Sequence, residues 1–503
     1  MAEDCLAGAE VLRVLTLTTM DASQQARFGQ FFTPARAAAL LADMPRMPDD
    51  DFPVRVLDPG AGSGMLMAAI VRRIVQAKPG ATVHVTAVEV DPTVIPALRS
   101  TAALCVEWAR ERGATVSVDV RCEDLIYART GLDAEREAAA FDLVIMNPPY
   151  AKLASKSAHR EALAALGVDT PNLYAAFLAL GVLSLCPGGQ LVAITPRSFA
   201  NGPYFERFRK FLLNTVAIDR LHTFESRSTV FSDAGVLQEN VVFSATKGGD
   251  EGKVRLTSSE GHLDESTEYV VDYSDLVRPD DPHRFLRIAA SETGTAGAEA
   301  ILGMPCSLSD LGLSVSTGRV VDFRVKNNLR GAQEEDCVPL IYPGNLRRGQ
   351  IEWPRSIRKP QAFAVLDGAD RRALVPSGCY VLVKRFSAKE ERRRIVAAVW
   401  DPEVNGRVEV AFENHLNVFH HAGAGLDREV AQGLSLWLNG SLVDRFFRTF
   451  SGHTQVNATD LRSLRFPPLA VLCRLARTSS SPLPEQADLD ALIEQVLATG
   501  CAA

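Results

Sequence analysis

The tetrapeptide Asn147-Pro148-Pro149-Tyr150, directly behind the apolar run 141–146, constrains this chain more than any other feature. A short continuous apolar run reads as a strand buried on both faces of a parallel sheet. The tetrapeptide then stands at a strand's carboxyl end, the edge where open α/β sheets hold ligands. Two successive prolines fix φ and remove two backbone donors, so the turn is stiff. It offers an amide side chain, rigid carbonyls and an aromatic ring. Such a set fits a planar substrate with an exocyclic amino group: acceptors take the N–H protons while the ring stacks on its face. A proline-rich turn with no further role is the plainer alternative, since Asn-Pro turns are common.

Upstream, a strand from Val54 runs into Asp58-Pro59-Gly60-Ala61-Gly62-Ser63-Gly64, and a helical stretch from Met65 to Gln76 follows. Glycines let such a turn approach a ligand closely while a helix N-terminus faces it. Nucleotide and dinucleotide binders share turns of this kind, although the spacing lacks the G-x-G-x-x-G fingerprint. The next strand, Thr82 to Val88, ends in Glu89-Val90-Asp91, where Glu89 is placed to hold a ribose diol. A third, Thr115 to Arg121, ends in Cys122-Glu123-Asp124-Leu125, where Asp124 is placed to accept from an adenine amino group. Taken singly, each acidic residue also fits a solvated loop charge. Ligand-type tips on successive strands, followed by the Asn-Pro-Pro-Tyr strand, point to one site.

In that order these segments resemble the S-adenosylmethionine-dependent amino-methyltransferases. Gln30-Phe31-Phe32-Thr33-Pro34, Asn172-Leu173-Tyr174-Ala-Ala-Phe177, the stretch Leu185 to Pro196 and Val230-Phe231-Ser232 narrow the resemblance to the gamma class of N6-adenine DNA methyltransferases. Phe450-Ser-Gly-His-Thr-Gln-Val-Asn-Ala-Thr-Asp-Leu461 resembles target-recognition regions of type II modification methylases. The likeness is detailed over residues 28–246 and patchier beyond. It implies a doubly wound, Rossmann-like class I methyltransferase sheet, with a C-terminal mixed α+β target-recognition domain. It implies S-adenosyl-L-methionine held by Phe32, Thr33, Pro34, Asp58, Pro59, Gly60, Gly62, Glu89, Val90, Asp124, Leu125, Asn147 and Phe177, and no metal. Its catalytic set is Asn147, Pro148, Tyr150 and Phe231: the Asn147 oxygen and Pro148 carbonyl grip the adenine amino group, and Tyr150 and Phe231 stack on the base. A core aromatic on an edge strand is the other reading of Phe231. The implied partner is double-stranded DNA, with a cognate restriction endonuclease acting on the same site, and a monomer suits methylation of one strand at a time.

Composition agrees. With 47% hydrophobic and 23% charged residues the chain reads as an ordinary soluble globular protein, long enough at 503 residues for two domains. Nine scattered cysteines without a C-x-x-C pair read as reduced thiols in a cytoplasmic protein, not as a disulfide frame or zinc site. The acidic start lacks a signal-peptide pattern, and the longest apolar stretch, 173–186, is shorter than a membrane span requires. A net charge of −7 conceals segregation. Residues 315–400 hold 17 Lys plus Arg against 9 Asp plus Glu, an excess of eight positive charges, which leaves −15 for the remainder. A basic segment on an acidic body fits one DNA-facing domain beside a catalytic one, and a solvated charged surface is the alternative. The DNA-contact candidates are Arg347, Arg348, Lys384, Arg385, Arg392, Arg393 and Arg394.

The expected organisation is a helical segment over 1–45, alternating strands and helices from Val54 to Pro196, and a hairpin-like far edge of Ala217–Phe224 and Glu239–Thr246. The polar break Lys247–Lys253 marks a boundary near residue 250: a catalytic domain over 1–250 and a recognition domain over 251–503, with helices over Lys389–Val399 and Asp427–Trp437. Other classes fit less well. A cytosine-C5 methyltransferase needs a Cys nucleophile where Asn147 stands, and the one Pro-Cys pair, Pro305-Cys306, lies outside the sheet motifs. RNA guanine-N2 and protein glutamine methyltransferases share the Asn-Pro-Pro-Tyr turn, yet have no evident use for residues 251–503 or the Phe-Phe-Thr-Pro segment. A non-enzymatic specificity protein has no need of an intact cofactor site, and no nuclease run stands out. Glu413-Asn-His415 and His420-His421 read as packing or phosphate-contacting side chains rather than a metal site.

Overall fold

The computed structural model describes residues 4–20, 32–47, 53–130, 139–224, 239–259, 266–288, 300–331, 337–387, 391–406, 409–450, 455–479 and 481–500. The chain divides into two compact units, Met1–Arg287 and Ile288–Ala503.

The first unit is built on one sheet. Its strands are β1 (Val54–Pro59), β2 (Thr82–Glu89), β3 (Thr115–Cys122), β4 (Phe141–Met146), β5 (Leu185–Pro196), β6 (Val216–Phe224), β7 (Asn240–Lys247), β8 (Lys253–Ser259) and β9 (Thr267–Asp272). Their order is β3-β2-β1-β4-β5-β7-β6-β8-β9. The strands β1 to β5 are mutually parallel, and β7 runs antiparallel between β5 and β6. This is the expected class I methyltransferase sheet. The connection reverses direction between β1 and β4, and the crevice at that switch point is where such sheets bind ligands.

Helices α1 (Cys5–Thr19), α2 (Ala35–Asp43), α3 (Met65–Ala77) and α4 (Ile95–Arg110) precede α5 (Leu125–Thr130), α6 (Ala158–Ala165), α7 (Leu173–Ser184) and α8 (Glu206–Thr215). Side chains alternate across a strand, so the two faces of β4 recruit different helices. Leu143 and Ile145 join one cluster with α1, α2, α3 and α4. Val144 and Met146 face α7, where Gly181 leaves room for them: a Cβ there would meet the Met146 methyl at 2.6 Å. Buried on both faces, β4 lacks the polar alternation of a surface strand, hence a sequence that is apolar apart from Asp142, which pairs with Arg55.

Two expectations fail here. The pair β6–β7 is not the far edge, because β7 lies inside the sheet and β8 and β9 extend it beyond β6. A boundary at residue 250 would cut these two strands away; the compact unit runs to Arg287. The polar residues of 253–259 and 267–272 belong to the two outermost strands on that side, whose residues alternate between core and solvent, a pattern easily taken for a linker.

The second unit carries a six-stranded and a five-stranded sheet. They share a core in which Tyr380, Leu382 and Trp400 meet Ile341, Val410 and Phe412. The expected helix over Lys389–Val399 does not form among its described residues, 391–399. Ala397–Trp400 is a fully buried strand whose small and β-branched residues pair with Tyr380–Lys384. The helix Arg428–Leu438 forms as expected, with the Asp427 carboxylate accepting from Glu429 and Val430 N–H. It crosses Leu469–Thr478 so closely that a Cβ on Gly433 would lie 1.9 Å from the Leu472 carbonyl oxygen. Gly433→Ala is therefore expected to lower stability by about 1–3 kcal/mol, read as a reduced denaturant midpoint. A variant as stable as wild type would show that this crossing relaxes freely.

Candidate active site

A cavity of about 360 Å³ opens at the carboxyl edges of the central strands, a size usual for small-molecule sites. Phe32, Thr33, Gly60, Gly62, Glu89, Val90, Asp124, Leu125, Asn147 and Phe177 line it, together with Pro149, Lys152, His159 and Leu173. Ten of the thirteen residues expected at the cofactor thus converge from six segments. Pro34, Asp58 and Pro59 are not among the lining residues; Pro34 instead forms the N-cap of α2.

The glycine turn earns its composition at two positions. Gly62 has φ +56°, and a Cβ there would lie 3.0 Å from the Phe32 ring. Gly64, at φ +90°, is the N-cap of α3 and has no side chain to cap it. Asp58 takes over that task from the end of β1: its Oδ2 accepts from Met67 N–H at 3.1 Å, satisfying a donor of the first turn. Asp58 is fully buried, and its Oδ1 has no hydrogen-bond partner among the described residues. Burial, and secondarily the neighbouring Glu89, push its carboxyl up to about 7, against the opposing Met67 bond.

Glu89 is anchored by the backbone. Its Oε2 accepts from Gly62 N–H at 2.8 Å, and its Oε1 from Val90 and Asp91 N–H, each at 2.9 Å. Burial raises its pKa, and those three amides oppose the rise. The carboxylate therefore both shapes the glycine turn and lines the cavity. Asp124 Oδ1 accepts from Ile126 N–H at the start of α5, while Oδ2 lies 2.9 Å from His159 Nε2. His159 stands one residue into α6, on the segment that follows the Asn-Pro-Pro-Tyr turn, and its ring packs 4.8 Å from that of Tyr127. Sequence reasoning missed His159. It lies nine residues past the motif, and nothing local marks it.

Asn147 is held from both sides. Its Nδ2 donates to Thr33 Oγ1 at 3.1 Å, and its Oδ1 accepts from the Tyr150 hydroxyl at 3.0 Å. That hydroxyl also lies 3.3 Å from the Ile194 carbonyl at the end of β5. Burial holds the Tyr150 phenol well above its usual range, so it stays a donor. Its ring meets Tyr174 edge-on at 6.2 Å. Thr33 was expected at the cofactor alone; it also orients the Asn147 amide. Pro148 is buried, and Phe231 lies outside the described residues.

Comparison with known proteins agrees with this geometry. A family described as Eco57I restriction-modification methylase matches residues 114–231. The type II methyltransferase M.PstI of Providencia stuartii is 38% identical over 490 residues, 97% of this chain and 96% of that protein. The type II methyltransferase M.BsuBI of Bacillus subtilis is 39% identical, covering 94% of each. The chain belongs to the type II restriction-modification methyltransferases. Among solved structures, the type IIL restriction-modification enzyme MmeI in complex with DNA shares the fold at a TM-score of 0.54. It is 12% identical, with 89% of this chain and 70% of that one covered.

The cationic candidates of the second unit fare unevenly. Arg347 and Arg348 are exposed on a hairpin, with Arg347 Nε 3.5 Å from Glu352. Lys384 and Arg385 are half-buried, and Arg385 Nη1 donates to the Asn414 carbonyl. Arg392 is exposed, but Arg393 donates to the Asn439 carbonyl. Arg394 is fully buried; its Nε donates to Ser387 Oγ at 3.1 Å and its guanidinium lies over the Phe447 ring. A guanidinium without solvent access has no path to a phosphate, so Arg394 holds the fold and leaves the DNA-contact set. Among the described residues, no helix is long and apolar enough to cross a membrane.

Asp58 yields a pH signature. Its folded pKa of about 7 lies above the unfolded value, so its ionisation costs stability progressively from about pH 4 to about pH 7. Asp58→Asn keeps an acceptor for Met67 N–H but no charge. Its melting temperature should decline less than that of wild type across that window; identical profiles would show that Asp58 does not titrate there.

Proposed function

We propose that this chain transfers the methyl group of S-adenosyl-L-methionine to N6 of an adenine swung out of a specific double-stranded DNA sequence. The mark would shield that sequence from a cognate restriction endonuclease. The observation that carries this reading is the doubly held Asn147 amide at the edge of a cavity lined by the glycine turn, Glu89 and Asp124.

The residues fit the cofactor. The glycine turn leaves a cradle that a Cβ at Gly62 would fill, Phe32 and Phe177 offer apolar walls, and Glu89 and Asp124 offer acceptors for a ribose and an adenine amino group. When bound, the sulfonium supplies an activated methyl group. The chain's own residues prepare the acceptor. The amino lone pair of adenine is delocalised into its ring, and the Asn147 oxygen and the Pro148 carbonyl draw its two hydrogens out of that plane. The nitrogen moves toward sp³ geometry and its lone pair becomes available. Because Thr33 and Tyr150 hold Asn147 beforehand, little reorganisation remains at the moment of reaction. Extruding the base costs a few kcal/mol, and stacking on an aromatic ring returns about 1–3 kcal/mol, the role proposed for Tyr150 and Phe231. The second unit supplies target recognition.

The decisive test supplies methyl-labelled cofactor with genomic DNA, total RNA or total protein, then maps the product. Label should enter DNA as N6-methyladenine at one sequence. Label confined to cytosine, RNA or protein would overturn the proposal. Asn147→Ala should lower turnover by roughly 10²-fold or more, while the dissociation constant for the cofactor, measured by equilibrium dialysis, stays near wild type. His159→Ala should do the reverse: cofactor affinity falls by about threefold to tenfold through the loss of one hydrogen bond that orients Asp124, with saturated turnover little changed. Unaltered binding would place His159 outside the cofactor's surroundings.

A further inference from the structure

We propose that one end of the six-stranded sheet in the second unit is the surface that docks the DNA duplex. Its aromatic contacts are Phe386, His415 and Phe323, and its phosphate contacts are Arg324, Lys384 and Arg385. The assignment rests on the DNA reading above and goes further: of the basic clusters in the sequence it keeps only Lys384-Arg385, and it adds Arg324 and an aromatic face that those clusters do not single out.

The geometry begins with strand direction. Leu416–His420 runs antiparallel to both Ser314–Thr317 and Tyr380–Lys384, pairing Thr317 with Asn417 and Lys384 with Leu416. The chain therefore leaves two strands and enters the third at the same end. The loops there are tied into one body. Asn414 N–H donates to the Val320 carbonyl at 2.8 Å, and Arg385 N–H to the His415 carbonyl at 2.9 Å. The first loop presses so close that a Cβ on Gly318 would lie 2.1 Å from the Glu413 carbonyl oxygen. A fourth segment joins them from the stretch that resembles target-recognition regions. Gln455 bridges to Phe386, Val456 N–H donates to the Arg385 carbonyl at 2.7 Å, and the buried Asn417 amide donates to the Val456 carbonyl at 2.7 Å.

This rigid frame displays what a core would hide. Phe386 is 43% exposed with its ring 5.0 Å from that of His415, and Phe323 is 63% exposed with Arg324 against it. Large aromatics left in water on an otherwise well-packed frame mark an interaction surface. The surrounding charge selects the partner. Asp322 is already paired with Lys359 at 2.7 Å, and Glu413 is fully buried with His415 against it. Arg324 and Lys326 are exposed, and Lys384 and Arg385 are partly so. Aromatic side chains among cations match a phosphate backbone with base edges or base steps behind it. The arginines after Lys389 offer less, since Arg393 and Arg394 are spent on the fold.

The test uses the full chain and two duplexes, one containing the sequence it methylates and one lacking it. Binding is followed by fluorescence anisotropy over a range of salt. Phe386→Ala combined with Phe323→Ala should reduce the ratio of specific to non-specific affinity by at least about tenfold. Arg324→Ala should weaken both duplexes alike and flatten the salt dependence by about one unit of slope. Cofactor binding by dialysis and the unfolding midpoint should match wild type in all variants. If wild type methylates DNA and these variants keep its site preference and slope, while Arg347→Ala with Arg348→Ala loses them, the docking surface is overturned and the function stands. A wild-type chain that binds no duplex overturns both.

Discussion

An amide side chain presents an acceptor and a donor that differ only by a half-turn about its last bond, and the proposed chemistry works with one orientation alone. In this fold the choice is made before any substrate arrives. Thr33 Oγ1 accepts from Asn147 Nδ2, and the Tyr150 hydroxyl donates to Oδ1. The two partners come from opposite directions in the chain, 114 residues upstream and three downstream. Their agreement depends on β4 being held in register. β4 is paired on both sides, with β1 and with β5, and is buried on both faces. A slip of one residue would exchange its two faces, driving Leu143 and Ile145 against α7 and turning Asn147 away from Thr33. Core packing and catalytic orientation are thus a single constraint.

The same economy governs the glycine turn. Three backbone N–H groups converge on the Glu89 carboxylate, and a helix whose N-cap is a glycine borrows its cap from Asp58. Both carboxyl groups are buried, and each is pushed up chiefly by that burial. They are tolerated because bare amide donors at a turn this tight would otherwise go unsatisfied. Acidic residues at strand ends are read from sequence as ligand contacts. Here Asp58 is an architectural residue that stands beside the ligand's place, and Glu89 serves the turn as well as the cavity.

What could be read from sequence was whatever local patterning enforces. Buried parallel strands show as apolar runs and strand ends as turns, and seven of the ten cavity-lining residues expected at the cofactor stand at those strand ends. Relations made only by tertiary contact left no trace. His159 reaches Asp124 across 35 residues of sequence, and the Thr33 contact to Asn147 spans 114. In the second unit most strands have two to five residues, too short for either period to emerge. The stretch Lys389–Val399 looked helical because its charges precede an apolar patch; pairing with Tyr380–Lys384 makes its end a strand.

The basic excess of residues 315–400 changes meaning once its members are placed. Arg319 donates to the Leu374 carbonyl, Arg355 to that of Gly344 and Arg393 to that of Asn439, while Arg394 is interior. Short strands joined by irregular loops leave many carbonyl oxygens without a ladder partner, and a guanidinium with five donors can satisfy several at once. Much of the positive charge is therefore structural, a consequence of the β-rich, loop-rich architecture rather than a count of phosphate contacts. Salt dependence scales with the phosphates actually neutralised, so a modest slope is compatible with tight, selective recognition. Selectivity must then come from groups that touch bases, and the exposed aromatic end of the six-stranded sheet is where this unit places such groups without cost to its core.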